Sequence, residues 1–290
     1  IKEIKNIIHK QIFWLTTILH PDNEIPFFND SSIGIAQSPK NILRFYNLLF
    51  KKNITLKNYD NLSFQYLKNT GFCSIGSTTY KCLIDIGSVG PSYQPGHSHA
   101  QTFSFELSIW NKRVFVNTGV SEYNNGERRQ LERSTKAHNT VSCFNKNSSE
   151  VWSSFRVAKR AKVSNIDIIK KNTSIKISGK HDGYKKILNN VYHERKWEFK
   201  KSNIKIHDNV KQGSNMIATL ILHPDTNLIK SKDDSFIIIL KNKRKVRLSF
   251  NTKNIKIKDW QYASKFGSLL KTKCINIFSN KNVIKTSIKW

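Results

Sequence analysis

The sequence has no apolar run near the roughly 18 residues that a membrane-spanning helix requires. Stretches such as residues 236–240 are strand-sized. Nothing at the start has signal-peptide character. The chain opens on Ile1 rather than Met, so the native N-terminus is expected upstream, and export cannot be judged from it. Cysteine is scarce. Cys73, Cys82, Cys143 and Cys274 form no C-x-x-C pair, which argues against a zinc knuckle or redox motif. A chain of 290 residues does not need disulfides to fold, so four buried free thiols are expected. No repeat of fixed period is present. Acidic residues are few, 20 against 49 Lys and Arg, for a formal charge of +29. That balance admits a polyanionic partner: nucleic acid, a membrane surface or an acidic polysaccharide. Lysine nevertheless outnumbers arginine along the whole chain, beside abundant Asn and Ile, as codon bias in an AT-rich genome produces. No nucleic-acid reader motif occurs, and the basic residues are not interleaved with aromatics, so no nucleic-acid partner is expected.

Hydrophobic residues make up 38% and aromatics 11%, enough for a sizeable core and too much for a disordered chain. The length suits one large β domain with a small attachment, or two modest domains. Ile4, Ile7, Ile8, Gln11, Ile12, Leu15 and Ile18 recur at three-to-four spacing and predict an amphipathic helix. A polar loop follows over residues 20–38. Ser38-Pro39 then reads as an N-cap with proline at the first helical position, opening a second helix that carries Ile42, Leu43, Phe45, Tyr46, Leu49 and Phe50. Two helices cannot bury these faces alone, so they read as the last hairpin of a larger helical unit.

From about Phe64 the pattern changes to short strands. Residues 102–108 alternate cleanly, and Asn111-Lys112 is the expected turn into residues 113–117. Further strands are expected at 140–143, 161–163, 174–178, 197–199, 204–206, 217–222, 236–240, 246–250 and 275–278. Such frequent strands without helix between them predict a mainly β chain, a large antiparallel β-sandwich after a short helical hairpin.

The chemistry concentrates between Gly87 and Phe155. His97 and His99 are two apart at the expected start of a strand, so both imidazoles project to one side if Ser98 faces away. Pro95-Gly96 permits a tight turn before them, and His138, opening the strand at 140–143, is placed to meet them. Imidazole is both a common metal ligand and a proton shuttle near neutral pH. Histidines hydrogen-bonded to backbone are the competing reading.

Gly96-His-Ser-His-Ala100, Val116-Asn-Thr-Gly119, Arg133-Ser-Thr135 and Ala137-His-Asn-Thr-Val141 together resemble the signature of heparinase II/III-like proteins. Residues 150–156, Gly183-Tyr184 and His193-Glu-Arg195 downstream, and residues 21–30 in the N-terminal loop, extend the resemblance in order through residues 15–225. It implies an incomplete α/α toroid followed by a β-sandwich, with residues 1–52 the end of the toroid and 53–290 the sandwich. It also implies a lyase that cleaves an acidic, uronate-containing polysaccharide by β-elimination in a cleft between the two domains, in the periplasm or cell envelope. The substrate is left open among heparan-like, alginate-like and bacterial surface glycans. The partner expected besides the polysaccharide is the N-terminal toroid of the same chain, which would supply a tyrosine.

By position, the resemblance makes His97 catalytic and makes His99, His138 and Asn117 the ligands of a metal, often zinc. Two residues depart from the family pattern: Gln101 and Asn117 each stand where relatives carry Asp, and an amide is a weaker zinc ligand than a carboxylate. Arg133 is a candidate to hold a uronate carboxylate in a bidentate fork, with a structural salt bridge as the alternative. Tyr93 as a proton-transfer group and Tyr123 as a substrate contact are the nearest tyrosines, each also readable as a packing residue. His193 matches a family position and either lines the groove or is structural. His181, His207 and His223 read as structural, and Trp152 and Phe155 as sugar-stacking or core residues. A binding or structural sandwich without turnover is the alternative to the enzyme.

Overall fold

The computed structural model describes all residues except 1, 55–60, 189, 212–214 and 232–234. Helix α1 (Lys2–Ile18) and helix α2 (Pro39–Phe50) form as the periodicity predicts. The Ser38 hydroxyl caps α2 by accepting from the Asn41 amide, with Pro39 in the first turn. Their apolar faces are mostly uncovered: Ile4, Ile7, Phe13, Ile42, Phe45, Leu48 and Leu49 are all exposed.

The remainder is antiparallel sheet. Strands β1 (Ser63–Leu67), β2 (Phe72–Gly76), β3 (Tyr80–Asp85), β4 (Phe105–Ile109) and β5 (Lys112–Phe115) make a five-stranded meander. After a seven-residue helix α3 (Glu127–Arg133) come β6 (Val141–Cys143) and the small hairpin β7 (Glu150–Trp152) and β8 (Arg156–Ala158). Next are β9 (Val163–Lys171), β10 (Ser174–His181), β11 (Tyr192–Lys200), β12 (Asn203–Lys211), β13 (Met216–Ile221), β14 (Asn227–Lys230), β15 (Phe236–Ile239), β16 (Lys245–Phe250), β17 (Ile255–Lys265), β18 (Ser268–Ser279) and β19 (Val283–Lys289). They form an eight-stranded sheet, β14-β15-β16-β19-β12-β11-β10-β9, and a four-stranded one, β17-β18-β13-β6. The bridge Phe115–Leu222 links the five- and four-stranded sheets into one layer, which packs on the eight-stranded sheet.

Alternation places the layers. On β11, His193, Arg195, Trp197 and Phe199 point into the sandwich, while Lys196 and Lys200 point out. Ile75, Phe105, Phe115, Trp197, Phe199 and Ile206 meet in the core. At about 25 cal/mol per Å² of apolar surface removed from water, this burial is the main term holding the sheets together.

On β4 the alternation behaves differently, because both faces are buried. The polar face, Glu106 and Ser108, is covered by the N-terminal loop rather than by water. The buried His20 ring bonds both, at 2.9 and 2.8 Å, and Phe27 lies against Val116, Ile221 and Tyr262. Burial pushes Glu106 up to about 7, against the opposing pull of Arg113, and lowers His20, so the pair is favoured as neutral groups.

Several local expectations change, among them the strand at 161–163, which instead runs over Val163–Lys171. Residues 102–104 are a turn rather than strand, because Phe103 takes a left-handed backbone (φ 65°) and Ser104 N–H donates back to Gln101 O. The β4–β5 turn is Trp110-Asn111, one residue earlier than expected. Positive φ at both suits a two-residue hairpin whose twist matches the strands. The histidine pair lies on a loop, not at a strand start. The four cysteines are free and buried, as expected.

Candidate active site

Pro95-Gly96 turns the chain, with Ser98 N–H donating to Pro95 O at 2.9 Å. Both His97 and His99 thereby reach one carboxylate, Asp30, from the N-terminal loop. Its Oδ2 accepts from His97 Nδ1 at 2.9 Å and from Arg129 Nη2 at 2.7 Å, and its Oδ1 accepts from His99 Nε2 at 2.7 Å and from Arg129 Nη1. Four donors fill the lone-pair directions of one carboxylate. Burial works to raise the Asp30 pKa, but these bonds and the nearby cations overcome it and hold the group below the usual range.

The two histidines differ. The His97 side chain is 61% exposed. With Nδ1–H spent on Asp30, its Nε2 lone pair is free to act. His97 packs on Phe155 (5.4 Å) and Tyr123 (6.0 Å), Tyr123 touches Phe266 (4.8 Å), and the Arg129 guanidinium lies against Tyr123 and Phe155. Phe155 and Phe266 are themselves partly exposed, offering ring faces beside a free imidazole nitrogen.

His99 is buried against His138, its Nδ1 lying 3.2 Å from His138 Nε2. The outer nitrogens of this pair are both committed as donors, His138 Nδ1 to Ser134 O at 2.8 Å and His99 Nε2 to Asp30. In neutral rings the two inner nitrogens are therefore both lone pairs, facing each other. Burial lowers the pKa of each, so taking up a proton there is disfavoured. A second pair shows the satisfied arrangement. Gly183 N–H donates to His181 Nδ1, His181 Nε2 to His193 Nδ1 at 3.0 Å, and His193 Nε2 to Asp208 at 2.7 Å. That chain of donors closes with neutral rings, whereas the neutral His99–His138 pair leaves two acceptor nitrogens face to face.

Among the described residues no three His, Cys, Asp or Glu side chains gather as a metal set. What is present is two imidazoles and an amide. A tetrahedral zinc with bonds of about 2.0–2.1 Å separates two ligand nitrogens by about 3.3 Å, close to the spacing found. Asn117 Oδ1 accepts from Ser104 Oγ (2.7 Å) and from the backbone N–H of Asn139 (3.4 Å), so it sits beside the chain at His138, and its buried Nδ2 has no partner among the described residues. Asn117 Oδ1 already accepts two hydrogen bonds, so the candidate ligands that face each other are the two imidazole nitrogens.

The other departure has a structural cause. Gln101 donates to Asp85 Oδ2 at 2.6 Å and accepts from Asn29 N–H at 2.7 Å, tying the loop that carries Asp30 to β3. Burial raises Asp85 to about 6, and a second carboxylate at 101 would face it with like charge.

Arg133 and His193 require correction as substrate contacts, because both are fully buried. Arg133 donates to the carbonyls of Gly96, Ser98, Trp152 and Ser153 and so fixes the loop bearing His97. His193 belongs to the chain ending on Asp208, which Arg195 also binds. Tyr93 stands 85% exposed, outside the ring contacts of the cluster. Asp30 and Arg129 were not among the candidates. Asp30 closes the 21–30 motif, and Arg129 precedes Arg133 by one helical turn, which was the available signal.

Residues 60–290 match the family described as "Heparinase II/III-like, C-terminal". Among solved structures, a heparinase III gene product is similar over the whole of this chain and 47% of its own (TM-score 0.77, 20% identity). The heparan sulfate lyase HepC from Pedobacter heparinus is similar over the same shares (TM-score 0.77, 17% identity). A further heparinase III structure is similar over 96% of this chain and 47% of its own (TM-score 0.74, 14% identity). At these identities the likeness is one of fold, and the chain spans about half the length of those proteins. No curated protein matches in sequence.

Proposed function

The chain belongs to the heparinase II/III-like family, and from that premise we propose that it is the sandwich half of a polysaccharide lyase that cleaves an acidic, uronate-containing glycan by β-elimination in the periplasm or cell envelope. The observation that carries the proposal is His97, an exposed imidazole whose Nδ1–H is tied to Asp30 so that Nε2 is free beside an aromatic surface. In the elimination, the carbon next to the uronate carboxylate loses its proton to a base. The C–H electrons form the new double bond, the glycosidic C–O bond breaks, and its oxygen takes up a proton. His97 Nε2 accepts the first proton, and the imidazolium formed lies against the Asp30 carboxylate, which stabilises it. The second proton-transfer group, a tyrosine, comes from a helical domain that covers the exposed apolar faces of α1 and α2. Tyr123, Phe155 and Phe266 give the sugar rings a face to stack on.

The protein with its N-terminal domain, given uronate polymers, is expected to release an unsaturated uronate seen as growing ultraviolet absorbance. The 290-residue chain alone is expected to be inactive, lacking one wall of the cleft. Vigorous cleavage by the short chain would misplace the chemistry. A full-length protein that binds such polymers without cleaving them would establish the alternative, a carbohydrate-binding module, which Asn117 and Gln101 favour.

His99 Nδ1 and His138 Nε2 are proposed to hold zinc, with the Asn117 amide beside them. A zinc held by these two nitrogens would supply positive charge to the two imidazole lone pairs. With an amide in place of a carboxylate, occupancy after purification without chelator is expected below one zinc per chain by elemental analysis. Asn117→Asp should raise it. Because that carboxylate would be buried, the variant should melt lower than the parent in chelator and recover when zinc is added. A melting point indifferent to zinc in Asn117→Asp would remove the metal from the site.

A further inference from the structure

Outside the active site, the side of the eight-stranded sheet turned away from the sandwich core carries a broad groove of about 730 Å³. Alternation on β10, β11, β12 and β19 puts Lys176, Lys196, Lys205 and Lys285 on this outward face, with the partly exposed His207 among them. The register arranges them in two rows. Lys196, His207 and Lys285 lie opposite one another on three successive strands, and Lys176, Glu198 and Lys205 do so in the next row. With strands about 4.8 Å apart, the two lysines of each row stand about 10 Å apart.

Four lysines face two carboxylates, Asp167 and Glu198. Lys176 reaches Glu198, and Lys196 reaches Glu194 at the rim, both at the long distance of 3.8 Å. Lys205 and Lys285 have no ion pair among the described residues. Hydroxyl and amide groups of Ser178, Ser249, Asn251 and Ser287 fill the remaining positions. Burial and the neighbouring Lys285 lower His207, as expected of a ring in a cationic surrounding.

We infer that this groove is a second binding surface for an acidic polysaccharide, separate from the His97 site and engaging the same polymer along its length. The inference rests on the substrate class proposed above. Cations recurring across adjacent strands, with hydroxyls and amides between them, suit a flexible chain carrying anionic groups at intervals, rather than one compact anion. The face shares no residue with the active-site cluster. The inward side of the same strands carries His193 and Arg195, so the sheet separates the two sites.

The test is titration of polymeric heparan sulfate onto the protein with its N-terminal domain, in low salt and with melting points checked. Replacing Lys196, Lys205 and Lys285 by Ser should weaken binding about tenfold or more, since each exposed ion pair is worth roughly two- to fivefold. Replacing Lys256, Lys258 and Lys271, which are exposed on β17 and β18 of the other layer, should change it less than about twofold by the same reckoning. His97→Ala should leave the groove's share of binding in place, so the result stands or falls independently of lyase activity. Three outcomes would overturn the proposal: no binding by the parent protein, equal weakening by the two lysine sets, or equal loss of affinity for a DNA duplex.

Discussion

Asp30→Ala is expected to lower the unfolding free energy by about 3–5 kcal/mol, the cost of leaving a buried guanidinium without its partner. Arg129 is fully buried, and once Asp30 is removed its remaining acceptor is the carbonyl of Ser154. His99 and His97 lose an acceptor in the same step. Chemical denaturation should show the whole loss. Adding Arg129→Met to the variant should restore part of it, because the double variant no longer buries a lone charge. Costs that simply add would mean that the pair acts through packing rather than charge. The pH dependence has a definite sign. Asp30 has a folded pKa below its unfolded value, so its contribution is present above about pH 4 and is lost progressively as the pH falls further. Asp30→Asn should therefore flatten the acid limb of the stability profile.

His97→Ala should reduce the lyase rate of the full-length protein by about two orders of magnitude or more, the scale of a general acid–base group. It should leave the melting point nearly unchanged, because the ring is largely solvent-exposed. Asp30→Ala differs by depressing both. That contrast separates the group that meets the substrate from the one that orients it. A His97→Ala protein with parental turnover would assign the proton transfer elsewhere.

Much of this was legible in the sequence. The change from three-to-four spacing to alternation marks the two helices and the sheets, because each period places apolar side chains on one face, covered in the sandwich and still open on the helices. The histidines of Gly96-His-Ser-His and His138 were legible as a cluster because few residue types serve that chemistry. What was hidden has one physical cause: polar groups buried against other polar groups leave no periodic trace. Helix α3, with the sequence Glu-Arg-Arg-Gln-Leu-Glu-Arg, buries Arg129, Glu132 and Arg133 rather than an apolar stripe. Pattern reading assigns such a segment to solvent. The sequence leaves Arg133 open between a carboxylate fork and a structural salt bridge, whereas its two terminal nitrogens donate to four backbone carbonyls. Asp30 stands 67 residues from His97, and no local spacing rule spans that separation.

The loop between α1 and α2 also bears on what counts as a heritable unit. The segment recognised by family likeness begins at residue 60, yet the carboxylate that sets the His97 tautomer lies at 30, and His20, Asp22 and Phe27 are built into the same wall. A gene fusion or truncation made at the recognised boundary would transmit the histidines without the group that orients them. The recombining unit must reach back at least to the end of α1. During synthesis the loop emerges first and waits for β4 and the Gly96–Ala100 turn, so the His97 tautomer is set only when chain segments far apart in time of synthesis have met.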